Sequence, residues 1–305
     1  MTNIWPFMKT FLRSLALFAT ITSGWATTID AANKYAYGAN IGWIDWRGDT
    51  TNGAVIGEYV CSGYIYSANC GWIHLGSNAP ANGIQYQNNS ATDYGVNHDG
   101  SGNLSGLAYG ANIGWIVFTN STATGPLAST DLPRVDLNTG KLRGYIYSAN
   151  CGWISLSNSF AVVQTDTIQP GTDSDGDGIA DAWELQRTNT LTAFTATSDK
   201  DGDGSSDLNE YLADTNPFDP NSAFKILAPF VSFGGGNQND DFITWTSQPT
   251  RFYMLEYRTN LTSDPWHSLN ALYPPDGATT TRDIGFGASA SQRYFRVRVI
   301  RPLAP

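Results

Sequence analysis

The chain has 305 residues and a net charge of −10, with 13% aromatic residues, 14% charged residues, 31 glycines and three cysteines. That length admits two or three domains, and many aromatics and glycines with few charges favour pleated sheets and tight turns over charged amphipathic helices. The chain has no cluster of Lys and Arg of the kind nucleic acid demands, and three cysteines are too few for a disulfide-built scaffold.

Residues 1–26 read as a secretory signal peptide. Lys9 and Arg13 precede the apolar stretch from Ser14 to Thr22, and Gly24-Trp25-Ala26 ends in a small residue. The stretch is shorter than the roughly 20 residues that span a bilayer as a helix, and no second one follows. A secreted or extracellular protein is therefore expected, with no transmembrane anchor and with attachment to a cell surface only through non-covalent contacts.

Residues 27–165 carry one pattern four times: AYGANIGWI at 36–44 and 108–116, IYSANCGWI at 65–73 and 146–154. The alternation implies duplication of a two-copy unit and a pseudo-twofold repeat domain. In each copy a Gly-or-Ser, Ala, Asn segment tolerant of positive φ separates two aromatic-rich runs, so each copy is expected to be a β-hairpin. Side chains alternate along a strand. Ile44, Ile73, Ile116 and Ile154 should therefore share a core face with Trp46, Leu75, Phe118 and Leu156.

Trp43, Trp72, Trp115 and Trp153 then point the other way, beside Asp45, His74, Val117 and Ser155, and Tyr37, Tyr66, Tyr109 and Tyr147 can join them. Open to solvent, these rings are candidate ligand-binding aromatics for polysaccharide or for a cell-surface protein. With both faces covered, as in a barrel or stacked sheets, they would only fill space. Cys70 and Cys151 stand where the other copies have Ile41 and Ile113. They read as small buried hydrophobes, or as a bridge if the two halves face each other. Cys61 corresponds to Leu142 and is expected to be unpaired.

Residues 166–222 form an acidic connector. Between 171 and 221 twelve acidic side chains face two basic ones, which accounts for the whole net charge. Two twelve-residue stretches, DSDGDGIADAWE at 173–184 and DKDGDGSSDLNE at 199–210, have the spacing of a calcium loop. Calcium takes six to eight oxygen ligands, which alternating carboxylates on a tightly curled loop supply. The candidate metal ligands are Asp173, Asp175, Asp177, the Ile179 carbonyl, Asp181 and Glu184 in the first loop. In the second they are Asp199, Asp201, Asp203, the Ser205 carbonyl, Asp207 and Glu210. Asp181 and Asp207 would bind directly or through water, and Glu184 and Glu210 would close each site with both oxygens. Gly178 and Gly204 allow the sharp turn. Short helices are expected at about 181–188 and 206–213, with Trp183, Leu185, Tyr211 and Leu212 in a small core.

On these residues the connector resembles bacterial thrombospondin type 3-like calcium repeats, and more loosely EF-hand-like and dockerin loops. The branched apolar residue Ile179 falls at the seventh position rather than the eighth, and Pro170-Gly171 disfavours an incoming helix. Both departures favour the thrombospondin-like resemblance, which implies Ca2+ as the bound ion. From 223 to 305 six or seven short strands with turn signals between them suggest a β-sandwich, similar in pattern to a fibronectin type III-like module.

The expected fold class is thus mainly β: a four-repeat hairpin domain, barrel or sandwich-like, a calcium-loop connector with short helices, and a C-terminal sandwich. The expected function is a secreted calcium-binding adhesion or binding protein. A carbohydrate-active enzyme and a purely structural matrix component are the alternatives. The first has little to build on, since only His74, His98 and His267 exist, no G-x-S-x-G motif appears, and Asp45 with Glu58 is the one acid pair to consider.

Overall fold

The computed structural model describes residues 26–118, 129–232, 241–284 and 293–305. The expected signal peptide at 1–26 lies outside the described residues except for Ala26. The chain is mainly β, with an eight-stranded barrel, two short helices and further sheets.

Each nonapeptide folds as a hairpin because the glycine at its seventh position takes a left-handed φ, between 72° and 78° at Gly42, Gly71, Gly114 and Gly152. The hairpins are β1 (Ile29–Gly38) with β2 (Gly42–Asp45), β4 (Cys61–Ser67) with β5 (Gly71–Gly76), β7 (Leu104–Gly110) with β8 (Gly114–Phe118), and β11 (Tyr145–Ser148) with β12 (Gly152–Ser155). They pair in sequence order, and β12 closes the ring on β1. The short strands β3 (Val55–Ile56), β6 (Val96–His98) and β13 (Val163–Thr165) pair outside the closed path, and β9 (Arg134–Val135) pairs with β10 (Leu142–Arg143).

The register determines how the barrel closes. Within a hairpin Tyr pairs with Trp, as Tyr37 with Trp43. Across each junction the next Tyr lies opposite the residue two places beyond Trp: Tyr66 opposite Asp45, Tyr109 opposite His74, Tyr147 opposite Val117 and Tyr37 opposite Ser155. Four offsets of two residues give a shear of eight for eight strands, a barrel of about 35–45° strand tilt whose interior side chains fill completely. Ile44, Ile73, Ile116 and Ile154 are fully buried there, with Trp46, Leu75, Phe118 and Leu156 two residues on.

One end of the barrel is plugged by traded volumes. A Cβ on Gly38 would stand 2.9 Å from Ile41 Cγ1 and 3.2 Å from Ile154 Cγ1, and one on Gly110 would meet Ile113 and Ile73 at the same distances. In the other two hairpins serine replaces this glycine and cysteine replaces the isoleucine, so a larger wall residue faces a smaller plug. Cys61, Cys70 and Cys151 are all buried free thiols, which favours the small-hydrophobe reading over the bridged one.

A ring of amides ties the same end together. Asn40 Nδ2 donates to the Cys151 carbonyl (3.1 Å), Asn69 to Ile41 (3.0 Å), Asn112 to Cys70 (3.2 Å) and Asn150 to Ile113 (3.0 Å). Every hairpin thus holds the turn of its neighbour. Asn69→Ala should destabilise the barrel by about 1 kcal/mol, the net worth of one such bond. Urea unfolding would check this, and an unchanged midpoint would mean that water serves those carbonyls equally well.

Beyond the barrel the connector stays attached to it. Gln169 donates its N–H to the Ile56 carbonyl and accepts from Glu58 N–H, both at 2.9 Å. The helices α1 (Asp181–Thr188) and α2 (Asp207–Ala213) follow the two acidic loops, close to the expected positions. Their core is Ile179, Ala180, Trp183, Phe194 and Tyr211, with the Trp183 ring 5.0 Å from Phe194 and 5.7 Å from Tyr211. Leu212, expected in that core, is exposed instead. Tyr211 occupies the inner face of α2, and its sequence neighbour is carried about 100° round the helix away from it.

The C-terminal module has two three-stranded sheets. One is β14 (Ile226–Ser232), β15 (Asp241–Thr246) and β18 (Thr279–Asp283); the other is β17 (His267–Tyr273), β16 (Phe252–Arg258) and β19 (Tyr294–Ile300). Ile243 and Trp245 from the first sheet share a core with Tyr253, Leu255 and Val297 from the second, as in a small sandwich. Among the described residues no helix is long and apolar enough to cross a membrane.

Candidate functional site

The two acidic loops fold alike, and their first aspartate organises each. Asp173 accepts from the N–H groups of Gly176 (2.8 Å) and Gly178 (2.9 Å), and Asp199 accepts from Gly202 (2.8 Å) and Gly204 (3.0 Å). These four glycines have φ between 75° and 95°, a region in which a side chain would be strained. The curl brings carboxylate oxygens of Asp173, Asp175 and Asp177 within 4.8 Å of one another, and likewise those of Asp199, Asp201 and Asp203. Each trio could hold a metal ion.

The glutamates at the twelfth positions test the fit. Glu184 is fully buried, and neither of its oxygens has a hydrogen-bond partner. Glu210 is also fully buried; one oxygen accepts from Thr215 Oγ1 at 3.2 Å and the other has no partner. Burial, followed by the charges of Asp177 and Asp175, pushes the Glu184 carboxyl up to about 8. Burial likewise pushes Glu210 up to about 7. A buried carboxylate without a partner is costly, and one oxygen each of Asp177, Asp201 and Asp203 is in the same condition. Lys225 stands 3.8 Å from Asp203 Oδ2, too far for a hydrogen bond. The donors present are therefore all oxygens, in surplus and short of positive charge, which is what a hard divalent cation requires.

Asp181 and Asp207 each have donors within the protein. Asp181 accepts from Ser174 N–H (2.8 Å) and Ser174 Oγ (2.6 Å), and its own N–H donates to the Thr172 carbonyl (2.7 Å). Asp207 accepts from Lys200 N–H (3.1 Å) and Ser198 Oγ, and its N–H donates to the Ser198 carbonyl (2.7 Å). Both stand outside the three-carboxylate clusters. They fasten the end of each loop to its start. The Ile179 side chain is buried in the small core, which leaves only its carbonyl for the loop, and Ser205 is half-buried.

A polar junction at the end of α2 was not evident in the sequence. Arg251, 3% exposed, lies 3.2 Å from Glu58 of the barrel domain and donates to the last carbonyls of α2, to Leu212 at 2.8 Å and Tyr211 at 3.0 Å. Arg301 donates to the Tyr211 hydroxyl (2.8 Å) and sits 3.7 Å from Glu58. Cations at a helix C-terminus satisfy its free carbonyls and complement its dipole. Asp45, the other half of the acid pair considered above, pairs with Lys34 at 2.8 Å, so the two carboxylates serve different partners.

On the barrel wall the tryptophans are open: Trp43 is 50% exposed, Trp72 47%, Trp115 41% and Trp153 37%. Each packs against two tyrosines, tilted or edge-on to it. Trp43 meets Tyr35 (5.9 Å, 72°) and Tyr37 (5.3 Å, 67°), and Trp72 meets Tyr64 (6.4 Å, 84°) and Tyr66 (4.8 Å, 56°). Trp153 meets Tyr145 (6.4 Å, 82°) and Tyr147 (5.0 Å, 58°). The third hairpin has Leu107 in place of the outer tyrosine. There Tyr94, from the loop before it, lies 5.0 Å from Trp115 at 83° and 6.2 Å from Tyr109, which itself lies 4.9 Å from Trp115 at 60°, so the three rings form one cluster. The Tyr94 hydroxyl is anchored to His74 Nδ1 at 2.9 Å. No periodicity could have flagged Tyr94, because it replaces a repeat residue from outside the repeat.

Comparison of the chain with protein-family models, with characterised proteins and with solved structures finds no match.

Proposed function

We propose that this chain is a secreted calcium-binding adhesion or binding protein, in which Ca2+ stiffens the connector between two β domains and the barrel recognises a carbohydrate or protein ligand. The observation that carries the reading is the buried, unpartnered Glu184, which feels the charges of Asp173, Asp175 and Asp177, repeated by the buried Glu210, half-satisfied by Thr215, beside Asp201 and Asp203. Asp173, Asp175, Asp177 and Glu184 would hold one ion, and Asp199, Asp201, Asp203 and Glu210 the other. The ion supplies the positive charge that those oxygens lack. Asp181 and Asp207 keep the loops closed, and Arg251 with Glu58 carries the order of α2 into both neighbouring domains. The thrombospondin type 3-like resemblance supports calcium over magnesium, as does the number of oxygens, since magnesium prefers few protein ligands and several waters.

Titration calorimetry on the whole chain should show two calcium ions bound, with dissociation constants of roughly 10⁻⁴ to 10⁻³ M as in extracellular modules. Absence of uptake at millimolar calcium would end the reading.

A further inference from the structure

We propose that the four Tyr-Trp-Tyr slots on the barrel wall are sugar-stacking platforms for an uncharged polysaccharide. This deepens, and rests on, the reading of the barrel as the recognition domain.

The first argument is the way the third slot is built. Where the repeat loses its outer tyrosine to Leu107, a loop from elsewhere lays Tyr94 against Trp115 and pins it through His74. If the rings were mere filler, leucine would serve; the chain instead recovers a second tyrosine against the tryptophan. The tyrosines pack against each indole and leave the tryptophans 37–50% exposed. A platform held in place before binding loses little side-chain entropy when a ligand arrives.

Charge narrows the class of ligand. None of the four nonapeptides contains a charged residue, and of the charges lower on the wall Lys34 and Asp45 neutralise each other at 2.8 Å. The slots therefore offer no attraction to an anionic polymer and no repulsion to discriminate against a neutral one. They offer flat apolar rings with hydroxyl and N–H edges, which suits the apolar face and equatorial hydroxyls of a sugar ring. A bilayer is a poorer match. The barrel end beside the slots is rimmed by Ala-Asn turns, and the asparagine amides are committed to neighbouring carbonyls, so no apolar tip leads into lipid.

The arrangement also bears on ligand form. Four slots spaced round a barrel face different directions, so a flat surface cannot meet them all, whereas flexible chains of a hydrated network can. Single sugars should bind weakly and long chains through several slots at once, since linked contacts multiply.

The test is electrophoresis of the whole protein, with calcium, through gels containing neutral β-glucan, xylan, mannan or α-glucan. Alginate gels and phosphatidylcholine vesicles form the other arms. The expected result is retardation in at least one neutral gel, stronger with longer polymer and insensitive to salt. Trp43→Ala combined with Trp72→Ala should weaken it by about tenfold or more, and Tyr94→Leu should weaken it as Trp115→Ala does. Retardation by alginate or vesicles alone would overturn the proposal. So would a dimer in sedimentation that tryptophan substitution abolishes while no neutral gel retards the protein, or no retardation in any gel. Calcium-dependent melting, measured on the same preparations, reports the connector separately. Its persistence without glycan binding would sink the slots alone, and glycan binding without it would sink the calcium reading alone.

Discussion

Replacing calcium by a chelator should lower the unfolding temperature of the connector by roughly 10 to 20 °C. At free calcium a hundredfold above the dissociation constant, each of the two sites stabilises the folded state by about 2.7 kcal/mol, about 5.4 together, and each kcal/mol moves the midpoint of a larger cooperative unit by about 2–4 °C. Calorimetric scans of the whole chain with and without chelator would measure the shift. The Glu184→Gln, Glu210→Gln double variant should lose most of it. In chelator the order should invert, with the variant melting above the parent. There Glu184 is a fully buried carboxyl with no partner, pushed up to about 8, so at neutral pH folding must protonate it at a cost in stability, and removing the group relieves that penalty. A variant less stable than the parent in both conditions would show that these glutamates act as ordinary packing residues.

Arg251→Met should uncouple the three parts of the molecule. The guanidinium is almost wholly buried and joins Glu58 of the barrel domain, the Tyr211 and Leu212 carbonyls of α2 and the C-terminal sandwich that carries it. Removing one partner of a buried pair costs about 3–5 kcal/mol, because the other charge is left uncompensated. Arg301, 3.7 Å from Glu58, should recover part of that. The expected signature is a merged calorimetric transition that separates into two or more, with faster hydrogen exchange at the end of α2. Glu58→Gln should do the same more mildly, since the helix carbonyls keep their donor. A single transition of unchanged width in Arg251→Met would mean that the junction transmits nothing.

Much of the architecture was legible in the residues because it was written locally. The hairpins follow from a glycine at a fixed place after Ala-Asn, the inward isoleucines from alternation, and the loops from carboxylates whose spacing is itself the coordination pattern. Whether the strands would close was not legible. That depends on the two-residue offset between hairpins, which is a pairing of distant segments and leaves no mark in any one of them. For the same reason the exposure of Trp43 and its three counterparts could not be decided in advance, since closure puts one strand face in the core and the other in water. The hydrogen bonds by which Asp181 and Asp207 close each loop were not legible either, because they depend on how the helix start folds back on Ser174, Ser198 and Lys200. Glu58, Arg251 and Arg301 lie far apart in the chain, and only the fold unites them.

The even offset between hairpins has a consequence for how such a wall can be assembled at all. A tile that advances its neighbour by two residues never exchanges the inside of the strand for the outside, so copies can be added without rewriting any of them. Four such tiles give the eight-strand circumference whose interior side chains can fill, and at one end the trade between Gly with Ile and Ser with Cys fits each plug to its wall; a fifth tile would widen the bore beyond that filling.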